Sequence, residues 1–192
     1  MICQSCFVVA RGDLCPECRR GLYPATERIL PGGFRVISVF EHEGPAARLM
    51  HGLKYRGGEA LLRLIAPYLS QLVPPGHVFV PVPRVWTRYL RYGIDPAQRL
   101  AEVLAARTRG ATLDLIERPV HNRRRAGSSH RGGPPRFIAT PGRVRSVVLV
   151  DDVFTTGTTL LAAAHAVHPI KVDFFFTATS ARPMPSLKKS GV

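Results

Sequence analysis

The sequence predicts an α/β fold in which a parallel sheet carries helices on both faces, preceded by a small cysteine-rich unit. Three observations lead there. Short apolar runs at Val36–Phe40, Val78–Val82, Ser146–Val150 and Val172–Thr177 alternate with stretches of helical spacing, the pattern of β-α-β units. Glycines and prolines stand between the runs, where chain reversals need them. All four cysteines fall within the first twenty residues.

Taken in order, residues 1–24 form the cysteine unit, and Pro24, Pro31, Gly32 and Gly33 mark a linker. Val36–Phe40 is a strand. Ala46, Leu49, Met50 and Leu53 share one helical face from Pro45 to Lys54, and Gly57 with Gly58 breaks that helix. A second helix starts at Glu59, with Leu61, Ile65, Leu69 and Leu72 on one side, and stops at Pro74, Pro75 and Gly76. Val78 to Pro83 is a buried strand that enters a loop, Arg84–Gly93. Asp95 before Pro96 is an N-cap with proline at the first helical position. Ala97, Leu100, Ala101 and Leu104 give that helix its core face, and Gly110 closes it. Thr112–Ile116 is a weaker strand, and His121–Arg136 is a mobile loop rich in Arg, Gly, Ser and Pro. The strand Ser146–Val150, the helix Thr158–Val167 and the strand Val172–Thr177 complete the α/β domain, placed at residues 34–182; residues 183–192 read as a flexible tail.

Composition narrows the classes. Hydrophobic residues make up 45% of the chain and the mean hydropathy is +0.03, with no apolar run long enough for a membrane span. No apolar leader precedes Cys3, so the expected compartment is the cytoplasm, without membrane insertion. Charge is the outlier: Lys+Arg 27 against Asp+Glu 13 gives +14. Between Arg118 and Val150 stand Arg118, Arg123, Arg124, Arg125, Arg131, Arg136, Arg143 and Arg145, and no acid. Such a stretch collects polyanions, or else solvates a surface.

The most informative stretch is Asp151-Asp152-Val153-Phe154-Thr155-Thr156-Gly157-Thr158-Thr159. It follows a buried strand, at the edge where open α/β sheets place ligands. A helix start offers unpaired N–H groups and the positive end of its dipole to a phosphate. Gly157 permits a close backbone approach, and threonine hydroxyls add donors. Carboxylates would repel a phosphate but suit a vicinal diol, whose two hydroxyls they can accept. A simple helix cap is the plainer explanation, but a cap needs one polar residue. The sequence has neither G-x-x-x-x-G-K-[ST] nor G-x-G-x-x-G, which sets aside the P-loop and the dinucleotide fingerprint.

Cys3-x2-Cys6 and Cys15-x2-Cys18 form two knuckles. Four thiolates so spaced can converge on one zinc ion in place of a core. Two disulfides, free thiols or an iron site are the alternatives, and the expected reducing compartment disfavours the first.

Residues 146–160 resemble the phosphoribosyl pyrophosphate motif of type I phosphoribosyltransferases. By that resemblance Asp151 and Asp152 hold the ribose hydroxyls, and Thr155, Thr156, Gly157, Thr158 and Thr159 hold the 5′-phosphate. It also implies a pyrophosphate loop at Pro83–Gly93 and a covering loop at His121–Arg136, making Arg84, Arg88, Arg91, Arg123, Arg124 and Arg125 candidates for the pyrophosphate, which would arrive with Mg2+. Together with the cysteine ribbon, Leu53-Lys54-Tyr55-Arg56-Gly57 and Val80-Pro81-Val82-Pro83 make nearly the whole chain similar to the ComF family. That family implies a cytoplasmic protein of natural competence, handling single-stranded DNA beside the DNA-uptake machinery. The chain departs from its pattern at Tyr92-Gly93-Ile94-Asp95, where Arg-Gly-Phe-Asn is usual, and at Gly127-Ser128-Ser129-His130, where a glutamine is usual. Two readings follow: a phosphoribosyltransferase of unnamed acceptor, or a non-catalytic module for ligand sensing or single-stranded DNA. Trp86 and Tyr89 among arginines fit either base stacking or ordinary packing.

Overall fold

A computed structural model describes residues 1–25, 27–119, 137–139 and 144–181. Six strands form one sheet in the order β1-β2-β6-β5-β3-β4: β1 (Glu27–Ile29), β2 (Arg35–Glu41), β3 (Val78–Pro81), β4 (Ala111–Thr112), β5 (Ser146–Phe154) and β6 (Lys171–Ser180). All neighbours pair parallel except β1, which runs antiparallel to β2 at one edge. The fold is therefore α/β with a mostly parallel mixed sheet and a four-cysteine cluster at its N-terminus.

Period two explains why the central strands read as continuous apolar runs. Val148 and Val150 of β5, Phe174 and Phe176 of β6, and Ile37 and Val39 of β2 point to one face. Val147, Leu149, Phe175 and Val36 point to the other. A parallel sheet needs both faces covered. Helices α2 (Gly44–Arg56), α3 (Ala60–Leu72) and α5 (Pro96–Thr108) cover the first through Leu49, Leu53, Leu61, Ile65, Leu100 and Leu104. Helix α6 (Thr158–Val167) covers the second with Leu160, Ala163 and Val167. The asymmetry follows from crossover handedness. The chain moves from β2 to β3 to β4 in one direction across the sheet and returns from β5 to β6 in the other. A right-handed crossover that reverses its direction must change face.

Caps bound these helices. Asp95 accepts from the Ala97 N–H at 3.2 Å ahead of Pro96, and Gly57 ends α2 in the left-handed conformation. The linker expected around Pro31 to Gly33 is a short hairpin instead: β1 pairs with β2 through Glu27↔Ile37, and Ala25 donates to the Val39 carbonyl. Three polar-flanked residues carry too little periodicity to announce a strand. The expected loop Arg84–Gly93 likewise holds helix α4 (Trp86–Tyr92), and α1 (Pro16–Arg20) is capped by Cys15 and carries Cys18. Strand β4 is shorter than Thr112–Ile116, since Ile116 makes only an isolated bridge to Ala139. The cysteine unit does not hang free. Leu14, Cys3, Cys15 and Cys18 join the core of α2 and α3, Arg63 forks onto both oxygens of Asp13 at 2.8 and 2.7 Å, and Arg48 donates to Ser5. No described helix is long and apolar enough to cross a membrane.

Candidate functional site

Strands β5 and β3 are neighbours whose crossovers leave in opposite directions, β5 toward β6 and β3 toward β4. Such a switch point opens a crevice at the carboxyl ends of the strands. Asp151 and Asp152 stand there, within the last turn of pleat of β5 rather than after it. Asp151 accepts the Asp152 N–H at 2.7 Å. Part of the Asp151 residue meets solvent, yet neighbours crowd its carboxyl. That burial, with the Asp152 charge adding to it, pushes the group up to about 7 against the pull of Lys54.

Two residues without an assigned role complete this edge. Lys54, in the last turn of α2, sets its ammonium 3.1 Å from Asp152. His42, just past β2, bonds through Nδ1 to the Thr179 hydroxyl at 2.8 Å. Burial and then the Lys54 charge lower the imidazole from its ordinary value, against the pull of Asp152. Only the folded sheet brings β2, α2 and β5 together, and no local motif joins these three residues.

The loop after β5 turns into α6 at Gly157, whose φ of +80° lies in the left-handed region. A Cβ there would stand 2.7 Å from Leu30 Cδ1 and 3.2 Å from a Phe154 ring carbon. The conformation therefore calls for glycine, and any larger residue would also have to push the Leu30 methyl aside. Thr155, Thr156 and Thr158 are exposed and Thr159 is half-buried. Thr156 and Thr158 hydroxyls bond at 2.9 Å. Leu161 donates to the Gly157 carbonyl, and the N–H groups ahead of it belong to the first turn, where an α-helix supplies no acceptor.

The arginines fall into different places. Arg84 turns its guanidinium inward, to the carbonyls of Lys54 at 3.0 Å and Ile94 at 3.4 Å, over the Tyr55 ring. It positions Lys54. Arg88 and Arg91 are exposed on α4, a helix with no buried residue. Arg118 bonds to Asp95 at 2.7 Å and to the Arg84 carbonyl at 2.9 Å, and lies 4.1 Å over the Tyr89 ring. Tyr89 thus has one face already covered, while Trp86 remains 41% exposed. Beside them a cavity of about 460 Å3 opens between Pro83, Asp95, Asp114 and Arg118. Arg123, Arg124, Arg125, the loop His121–Arg136 and the tail 183–192 lie outside the described residues.

The ligand atoms of Cys3, Cys6, Cys15 and Cys18 all lie within 4.8 Å of one another, the Cys6 and Cys15 sulfurs 3.7 Å apart. Tetrahedral zinc with Zn–S near 2.3 Å requires sulfurs about 3.8 Å apart. The donor set and its spacing could hold a metal ion, and zinc fits both.

No family model matches the chain. It is 30% identical over 196 aligned residues to a protein named DNA utilization protein YhgH from Escherichia coli O157:H7, covering 85% of this chain and 82% of that one. The same-named proteins of Escherichia coli strain K12 and Shigella flexneri match over the same shares, at 30% and 29% identity.

Proposed function

This chain belongs to the family of the DNA utilization proteins named YhgH, and we propose that it is a ComF-like, phosphoribosyltransferase-like member that binds phosphoribosyl pyrophosphate in the crevice between β5 and β3. The observation that carries this reading is the pairing, on one strand end at a switch point, of two adjacent carboxylates with a left-handed glycine opening a helix. The acids accept from the ribose hydroxyls. The Thr155–Thr159 turn and its N–H groups receive the 5′-phosphate. Asp151 and Asp152 are hard oxygen donors of the kind magnesium takes, and magnesium bound with the ligand supplies charge neutralisation on the pyrophosphate. Calorimetric titration with phosphoribosyl pyrophosphate and magnesium tests the reading: saturable binding is expected, and no heat at millimolar ligand ends it. Release of pyrophosphate with a panel of nucleobases and amines decides for transfer over sensing.

The four-cysteine unit is a structural zinc site in this reading. Protein purified without chelator should carry close to one zinc per chain. Cys15→Ser should lose the metal and loosen the unit from α2 and α3, because Leu14, Cys3 and Cys18 share their core. Intact disulfides and no metal in mass spectrometry would contradict it.

One observation favours a role in handling single-stranded DNA as well. Helix α4 presents Trp86, Arg88, Leu90 and Arg91 to solvent, with no acid on it. Base stacking and phosphate contacts need that combination. Binding of oligo-dT should weaken with salt, with a log–log slope near −0.7 per neutralised phosphate, and Arg88→Ser with Arg91→Ser should flatten the slope. Salt-indifferent binding would remove this second role.

A further inference from the structure

The reading above leaves Lys54 unused, although it is the cation nearest the acid pair among the ion pairs of the described residues. Its side chain is 21% exposed and that of Asp152 14%. Two charges so sheltered from water have each lost hydration and depend on one another. An anion entering the crevice meets two carboxylates that repel it, and one cation already engaged. The root of Lys54 is held firmly: Arg84 clamps its carbonyl, and Gly57 turns the chain away just beyond. Its four-carbon stem keeps the rotamers to swing the ammonium while the backbone stays in place.

We propose that Lys54 is an exchanged cation: it neutralises Asp152 in the free protein and moves to the pyrophosphate when ligand binds, handing the Asp152 carboxylate to the ribose diol. This rests on the phosphoribosyl reading of the crevice. The exchange favours a ligand that carries both groups. Pyrophosphate alone must strip Lys54 from Asp152 and leave that carboxylate without a partner, and a sugar phosphate alone must leave the ammonium without one. A ligand with diol and pyrophosphate together replaces both lost contacts in one event. Lys54 is thus a specificity device that disfavours the two halves of the ligand relative to the whole.

The test titrates the full chain with inorganic pyrophosphate and with ribose 5-phosphate, each with magnesium, in the unaltered protein, Lys54→Met and Asp152→Asn. Lys54→Met removes the charge and keeps the stem. It should weaken pyrophosphate roughly tenfold or more, the scale of one lost charged hydrogen bond, and leave ribose 5-phosphate unchanged or tighter. Asp152→Asn frees Lys54 and should tighten pyrophosphate several-fold. The opposite signs keep the test decisive even if one variant folds poorly. Pyrophosphate affinity untouched by Lys54→Met, or weakened by Asp152→Asn, overturns the exchange while leaving the phosphoribosyl reading standing. An unaltered protein that binds neither these two ligands nor phosphoribosyl pyrophosphate itself removes that reading, and the exchange falls with it.

Discussion

Asp151→Asn should stabilise the protein at pH 8 and change it little at pH 4. The carboxyl is raised to about 7 in the folded chain, by burial first and by the Asp152 charge second, from 3.8. The folded state therefore binds more protons than the unfolded state between those values, and this group's contribution to stability falls as pH rises from about 4 through 7. Above pH 7 the penalty is complete. Three units at 1.36 kcal/mol each set a ceiling of about 4 kcal/mol, and the solvent contact Asp151 retains lowers the observed effect. Asparagine keeps the shape and the acceptor for the Asp152 N–H and removes the charge. For a chain of this length the ceiling corresponds to a rise on the order of 10 °C in melting temperature. Acid protonation elsewhere is common to both proteins, so the difference between their melting curves isolates this group. A difference of the same size at pH 4 and pH 8 would show that Asp151 is not held neutral. A destabilised protein at pH 8 would show that its charge is needed by Lys54.

Part of the arrangement at the carboxyl end of β5 was readable in the sequence. The four long apolar runs identified β2, β3, β5 and β6, because strands covered on both faces contain little besides Val, Ile, Leu and Phe. Asp95 with Pro96 marked the start of α5 to the residue, since a cap is a local signal. Gly157 stood out for the conformation it adopts. What stayed hidden depends on contacts far apart in sequence. Lys54 reaches Asp152 only because α2 packs across the sheet from β2 toward β3. His42 meets Thr179 only because β2 pairs with β6, through Phe40↔Thr179. Arg84, a pyrophosphate candidate by its place after β3, sends one guanidinium nitrogen to the carbonyls of Lys54 and Ile94, contacts that no local pattern announces. Helix α4 escaped because seven residues with none buried have no apolar period to read. Motif, cap and backbone geometry are local; the partner of a charge is not.

Replacing both acids, Asp151→Asn with Asp152→Asn, should separate the ribose half of the site from its phosphate half. Asparagine carbonyls are weaker acceptors for a diol than carboxylates, and hydrogen bonds to charged groups contribute about 1.5–3 kcal/mol each. At ~1.4 kcal/mol per tenfold, affinity for phosphoribosyl pyrophosphate should fall at least roughly tenfold. Inorganic phosphate has no diol, so it should bind the double variant as well or better: two negative charges have left, and Lys54 is no longer engaged by Asp152. Gly157→Val should act differently. A β-branched residue at a φ of +80° is strained whatever surrounds it, and its Cβ would meet Leu30 at 2.7 Å. The turn must shift, and phosphate and phosphoribosyl pyrophosphate should weaken together. Gly157→Ala carries the same backbone strain with less bulk, so it reports on the turn if the valine variant does not fold. Calorimetry of both ligands against the variants reads the outcome directly. Equal losses of phosphate and phosphoribosyl pyrophosphate in the double asparagine variant would remove the acids from the ribose. Phosphate binding that survives both Gly157 variants would place the phosphate somewhere other than the start of α6.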